Sequence, residues 1–473
     1  MKLVELTLPG GGSNAGRGLT SREARKASNR AARIALFVLG LIYTWFWIVV
    51  AHRITELPSG VATSFVTECG DFEHFYQAAR ALREGSNIYA SGMHGYIYPP
   101  LIAFLFAPLT WLSVQDAAQI MLVVNLALGG ACTWVFSAEV MRRMSVEQTP
   151  SRLLVVMAAT TLLSATLLRS EFQMWQTNIL VAAALVLALR FLDTRPGVAG
   201  LLLGFAFNIK YLPLVFLPYL LIRRRYVAAA SFAVGGVAFG LMPGLASGWQ
   251  RNVEHWTQAL SGVGRLMGLA SPVTSPAQVD PITAGHSLSI TSGLARLLGD
   301  DAAPSAVLTL ALCVALAVAL MLWRTYAASG RPVLQWPPAG QQASQPYAGM
   351  VALEWGALVI LILAFSPQTN PRHTSLLVMP FAILASMLCS PGPSASRWPA
   401  ALGAAFLFCG LNLPPNAPEF VRALSAWRWV GGAGWCMVLA LPFYFIAGFR
   451  QLAGSAPLVT STSNCEPPTR VIP

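Results

Sequence analysis

Apolar runs long enough to cross a bilayer recur from one end of this 473-residue chain to the other. A crossing helix needs about 17–25 such residues. The chain is 55% hydrophobic and only 11% charged, too little polar side chain to clothe a soluble protein of this length. The sequence therefore predicts an all-α, polytopic transmembrane protein. Hydropathy gives about twelve crossings: Ile34 to Ala51, then 97–113, 116–140, 153–168, 179–192, 198–222, 226–246, 304–323, 349–365, 374–390, 399–413 and 428–449.

The charges read as topology signals. A net charge of +12 would suit a nucleic-acid partner, but the basic residues are scattered over helix ends and build no basic domain. Residues 1–33 form a polar tail carrying Arg17, Arg22, Arg25, Lys26, Arg30 and Arg33. No small-x-small cleavage site follows the first span, so the tail is expected in the cytoplasm, ahead of a retained helix. Arg223, Arg224 and Arg225 are the next strong cytoplasmic marker, and counting spans from the N-terminus agrees. The same count puts Arg142 and Arg143 outside. Arg324, Arg331, Arg397 and Arg450 mark further inner ends. The transmembrane domain is expected over 34–450, with outer loops near 52–96 and 247–301, a helix over 288–298 lying in the interface, and a disordered tail over 451–473. The seven cysteines have no Cys-x-x-Cys spacing and most lie in apolar spans, so they read as packing residues.

The first outer loop holds the densest chemistry. Phe72, Phe75, Tyr76, Ala79 and Leu82 share one helical face, and Glu73, Gln77, Arg80 and Glu84 the other, a pattern that suits a helix in the interface plane. Asp71 opens that helix beside Gly70. A carboxylate there either accepts from free backbone N–H groups or is left to take a proton, and both readings are open. Tyr96 and Tyr98 stand at an aromatic belt, and Pro99-Pro100 begins the next helix.

With nineteen acidic residues, candidates are few. The outer-side carboxylates are Glu56, Glu68, Asp71, Glu73, Glu84, Glu254 and Asp280, of which Asp71 is best placed, with Glu68 and Glu73 in reserve. Lys210 lies inside the span 198–222, where an ionisable group is costly and faces a cavity or a partner. His74, His94 and His255 read as structural, and no pair of histidines has metal-ligand spacing.

The loop resembles a known family. Gly70-Asp71-Phe72, then Tyr76-x-Ala78-Ala79-x-Ala81-Leu82, Gly85-x-x-x-Tyr89 and Tyr96-x-Tyr98-Pro99-Pro100-Leu101 are similar, in order and spacing, to the opening signature of glycosyltransferase family 87. The resemblance implies a GT-C type membrane enzyme that moves a hexose, typically mannose, from a polyprenyl-phosphate donor to a glycan or glycolipid acceptor with inversion. It needs no cofactor and makes Asp71 the catalytic base. The element with Gly204, Lys210 and Pro213 resembles a second signature and gives Lys210 to the donor phosphate. Gln176 and Asn178 resemble a Gly-Gln-x-Asn element in which Trp175 replaces the glycine. His286 stands in a changed Asn-Gln-Ser-Leu element. Ser366-Pro367 to His373 resembles a Ser-Pro to His stretch, in which Arg372 and His373 supply cationic donors to the departing phosphate. Tyr98 would line the same substrate site. No Gly-rich nucleotide turn is present, which disfavours a nucleotide-sugar donor. The rival class is a transporter or flippase of a lipid-linked substrate, with Lys210 on its pathway. The absence of an internal repeat weighs against it.

Overall fold

The computed structural model describes residues 21–55, 70–92, 96–266, 279–299, 303–331, 333, 345–390, 394–412 and 422–454. Residues 1–20 and 455–473 of the two tails, with Glu56, Glu68 and His94, lie outside them, whereas residues 21–33 and 451–454 are helical, the first turns of one helix and the last of another. The described residues are helical throughout, with no strand. In chain order the helices are α1 (Ser21–Thr55), α2 (Phe72–Arg83), α3 (Leu101–Phe106), α4 (Val114–Arg143), α5 (Pro150–Gln173), α6 (Asn178–Phe191), α7 (Pro196–Ile209), α8 (Phe216–Ile222) and α9 (Tyr226–Leu241). There follow α10 (Gly244–Ser247), α11 (Trp249–Leu266), α12 (Ile290–Leu298), α13 (Pro304–Ala328), α14 (Gln345–Phe365), α15 (Val378–Leu388), α16 (Ser394–Asn412), α17 (Arg422–Trp429) and α18 (Gly432–Gly454). Among the described residues, six stretches are long and apolar enough to cross a membrane: α4, α5, α9 with α10, α13, α14 and α18.

Side-chain contacts define two ends of the bundle. At one, Arg143 is fully buried and pairs with Glu139 at 2.6 Å and Asp193 at 2.8 Å, while Arg225 pairs with the other oxygen of Asp193 at 2.6 Å. Arg223 pairs with Glu354, which also accepts from the Tyr219 and Tyr326 hydroxyls. The opposite end holds α2, α11, α12 and the Asp71 loop. Arg142 and Arg143 thus share an end with Arg223 to Arg225, which corrects the span count.

Two segments cause that difference. The apolar run 97–113 does not cross: α3 and a 3₁₀ turn over Ala107–Trp111 are short, and their far end returns to α2. The Tyr76 hydroxyl donates to the Leu112 carbonyl at 2.8 Å, and Arg83 donates to that of Thr110 at 2.9 Å. The run 198–222 is not one span but two limbs. Helix α7 stops at Lys210, whose backbone is extended at φ −147° and ψ 145°, and a 3₁₀ turn over Leu212–Val215 leads into α8. The chain so reaches the Asp71 end at Lys210 and returns to the arginine end at Arg223. The first segment removes a crossing from the hydropathy count and the second adds one, so every helix between the two is inverted.

Packing explains how a polar turn is held inside so apolar a chain. A side chain on Gly200 or Gly204 of α7 would run into the α9 backbone near Ala228, Gly235 and Gly236, so glycine lets the two helices touch. Helix α2 buries Phe72, Phe75, Tyr76, Ala79 and Leu82 completely or nearly so, and the Phe75 ring meets Tyr96 and Phe106 edge-on and Tyr98 at a tilt. Helix α12 is buried from Ile290 to Arg296, packed against α13 and α18 rather than laid on lipid as its sequence suggested.

Candidate active site

Asp71 does not cap its helix. Its side chain makes no hydrogen bond to the free N–H groups of α2. It turns instead toward Arg372 and Gln176, and both donate to the same oxygen, Oδ2. The Gln176 carbonyl oxygen in turn accepts from Lys210 Nζ at 3.2 Å. One amide therefore ties the carboxylate to the buried lysine. Lys210 also sits 4.7 Å from the centre of the Tyr98 ring, a cation–π contact in a dry setting.

Local backbone conformation sets up this chain of contacts. Gly70 is left-handed at φ +58°, and a Cβ there would come 3.2 Å from the Met174 backbone. Trp175 is also left-handed, at φ +48°, an uncommon state for a bulky residue, and its indole N–H is buried without a partner. That conformation accounts for glycine in the related element. It ends α5 sharply and aims Gln176 at the site. The break after α7 puts Lys210 at a helix end, so the lysine meets polar neighbours instead of lipid.

Asn178 has a positioning role: its amide donates to Glu171 at 2.7 Å and to the Arg372 carbonyl at 3.1 Å, holding the backbone of the arginine. Glu171 is the residue that sequence reading missed. It is fully buried, accepts from Asn178, the Ile179 N–H and Ser375, and its charge favours the charged form of Lys210. The signal was present as an acid at the end of an apolar run, but the hydropathy boundary at 168 left it outside.

His373 departs from the expected cationic role. Its Nδ1 accepts from the Asn370 N–H at 3.4 Å in a capping box. Burial, with Lys210 and Arg372 nearby, holds its imidazole well below the usual range. His286 stands at the half-exposed rim, 3.4 Å from Asp280 and from the Gln368 amide. Its loop is held by buried Arg296, which donates to the carbonyls of Ala284, Ser287 and Trp429. Of the other acids considered, Glu84 pairs with Arg80 and Glu254 accepts from Gln250, both at the surface. Among the described residues, no group of three His, Cys, Asp or Glu side chains gathers to hold a metal ion.

From Lys210, Tyr98, Gln368 and His373 a cavity of about 620 Å³ runs into the bundle. Its deeper wall is hydrocarbon: Leu212 and Val215, Val318 and Leu322 of α13, Leu358 and Ile362 of α14. Charged and amide groups at one end and apolar side chains along the rest suit an anionic lipid. The fold and site define a polytopic membrane enzyme for an amphipathic substrate.

The chain belongs to glycosyltransferase family 87, whose model matches residues 96–337. It is similar to a polyprenol-phosphate-mannose-dependent alpha-(1-2)-phosphatidylinositol mannoside mannosyltransferase of Mycolicibacterium smegmatis, 27% identical over 82% of this chain and 86% of the relative. A Mycobacterium tuberculosis protein of the same description is 30% identical over 49% of this chain and 55% of its own. A pentamannoside mannosyltransferase of M. smegmatis is 28% identical over 48% and 50%. No solved structure matches.

Proposed function

We propose that the protein transfers mannose from a polyprenyl-phosphate donor to a hydroxyl of a lipid-anchored glycan, as the names of its relatives describe for them. The observation that carries the reading is the Asp71–Gln176–Lys210 chain at the head of an apolar cavity. The polyprenyl tail lies along α13 and α14, and its phosphate reaches Lys210 and Arg372. Both contacts on Asp71 fall on Oδ2, so Oδ1 is the oxygen that takes the acceptor's proton.

The freed acceptor oxygen attacks the anomeric carbon from the face opposite the phosphate. The bond from that carbon to the phosphate oxygen breaks, and its electron pair leaves with polyprenyl phosphate, inverting the centre. Lys210 and Arg372 take up the charge gathering on that oxygen. Before donor binds, Arg372 is held by Asp71; a phosphate competes for it, which links donor occupancy to release of the base. By the positive-inside rule the arginine end faces the cytoplasm and the Asp71 end the outer side.

The test is incubation of the purified protein with polyprenyl-phosphate mannose and phosphatidylinositol mannoside acceptors, scored by product mass. A gain of one hexose supports the reading. Donor and acceptor left unchanged across the acceptor series would overturn it.

A further inference from the structure

We propose that a second groove, at the arginine end between α13 and α18, binds one anionic phospholipid. The groove encloses about 800 Å³ and is separate from the substrate cavity. Arg324 from α13, Arg331 from the turn after it and Arg450 from α18 line it, and none of its described lining residues is acidic. Arg331 lies 5.4 Å from the Phe449 ring and Arg450 lies 5.6 Å from that of Trp398, which keeps both guanidinium groups beside the groove. Deeper in, the lining turns apolar with Ala317, Leu320, Met321, Ile446 and Phe449. Headgroup-depth cations over a hydrocarbon wall match a phosphate ester with acyl chains below it, and basic pockets between helices bind such headgroups. A soluble anion would use the arginines but not the wall.

Position makes the site matter. Among the long apolar helices of the described residues, α13 is the least buried within the protein, at 17% of its apolar stretch. It gives Ala317, Leu320 and Arg324 to this groove and Ala315, Val318 and Leu322 to the substrate cavity. A lipid seated here braces one wall of that cavity.

Native mass spectrometry of the full-length protein, with phosphatidylglycerol or phosphatidylcholine added, tests the inference. One phosphatidylglycerol should be retained in preference, and its retention should fall about fivefold for each arginine removed. A variant with Arg324→Lys, Arg331→Lys and Arg450→Lys should retain it, whereas Gln at the same positions should not. If the triple Gln variant fails to fold, Arg324→Gln alone gives the reading, since that side chain is exposed. Equal retention of the two lipids, undiminished retention by the Gln variant, or displacement of the lipid by millimolar glycerol phosphate would each overturn the proposal.

Discussion

Arg372 and Asp71, 301 residues apart in the chain, form an ion pair. The pair joins the loop after the first helix to the turn that leads into α15. It leaves neither side chain fully buried, at 33% and 16% exposed, so a ligand can reach between them.

The first prediction separates chemistry from architecture. Because the Asp71 side chain makes no capping bond, neither Asp71→Asn nor Asp71→Ala should unfold α2. Loss of a general base lowers turnover by roughly 10²–10⁴-fold. Both variants should show that drop with melting temperatures near the parent's. More than a tenth of parental turnover in Asp71→Asn would remove Asp71 as the base.

The second concerns Lys210 and Glu171, whose buried charges offset one another. Lys210→Met leaves an uncompensated buried carboxylate, a change that costs about 3–5 kcal/mol. Adding Glu171→Gln should restore part of that stability. In the folded double variant the apparent donor affinity should still fall by about 1.5–3 kcal/mol, the worth of a charge-assisted contact. Unchanged donor affinity would end the phosphate role of Lys210.

Membrane sidedness provides the third. On a cysteine-free background, Glu147→Cys and Arg224→Cys should label from one side and His286→Cys from the other. Labelling of positions 147 and 286 from the same side would restore the original span count and contradict the bundle.

The fourth is a pH dependence. His255 on α11 lies outside the spans, buried against Tyr89, and burial together with Arg251 pushes its pKa down to about 4. Unfolded, it titrates near 6.5. Below that pH the unfolded chain binds a proton that the folded chain refuses, so stability is present above about 6.5 and is lost as pH falls toward 4. His255→Phe keeps the ring and removes the titration. Its melting temperature should fall less steeply over that range, and an identical slope would exclude His255 as the cause.

The sequence by itself determined what this protein is made of and where its chemistry gathers. Apolar run length is a local property, so the all-helical membrane class was legible without any contact, and the family resemblance carried by Gly70, Asp71, Tyr98 and Pro100 pointed to the candidate loop. Only the tertiary structure decided which way each helix points. Hydropathy cannot tell a run that crosses from one whose far end hydrogen-bonds back to α2, as 107–112 does, nor a single span from two limbs joined at Lys210. Nor can it find partners: Arg372 reaches Asp71, and Glu171 reaches Ser375, only because distant helices are packed together. A buried charge in so apolar a bundle is tolerable only once that packing supplies its counter-charge and its hydrogen bonds.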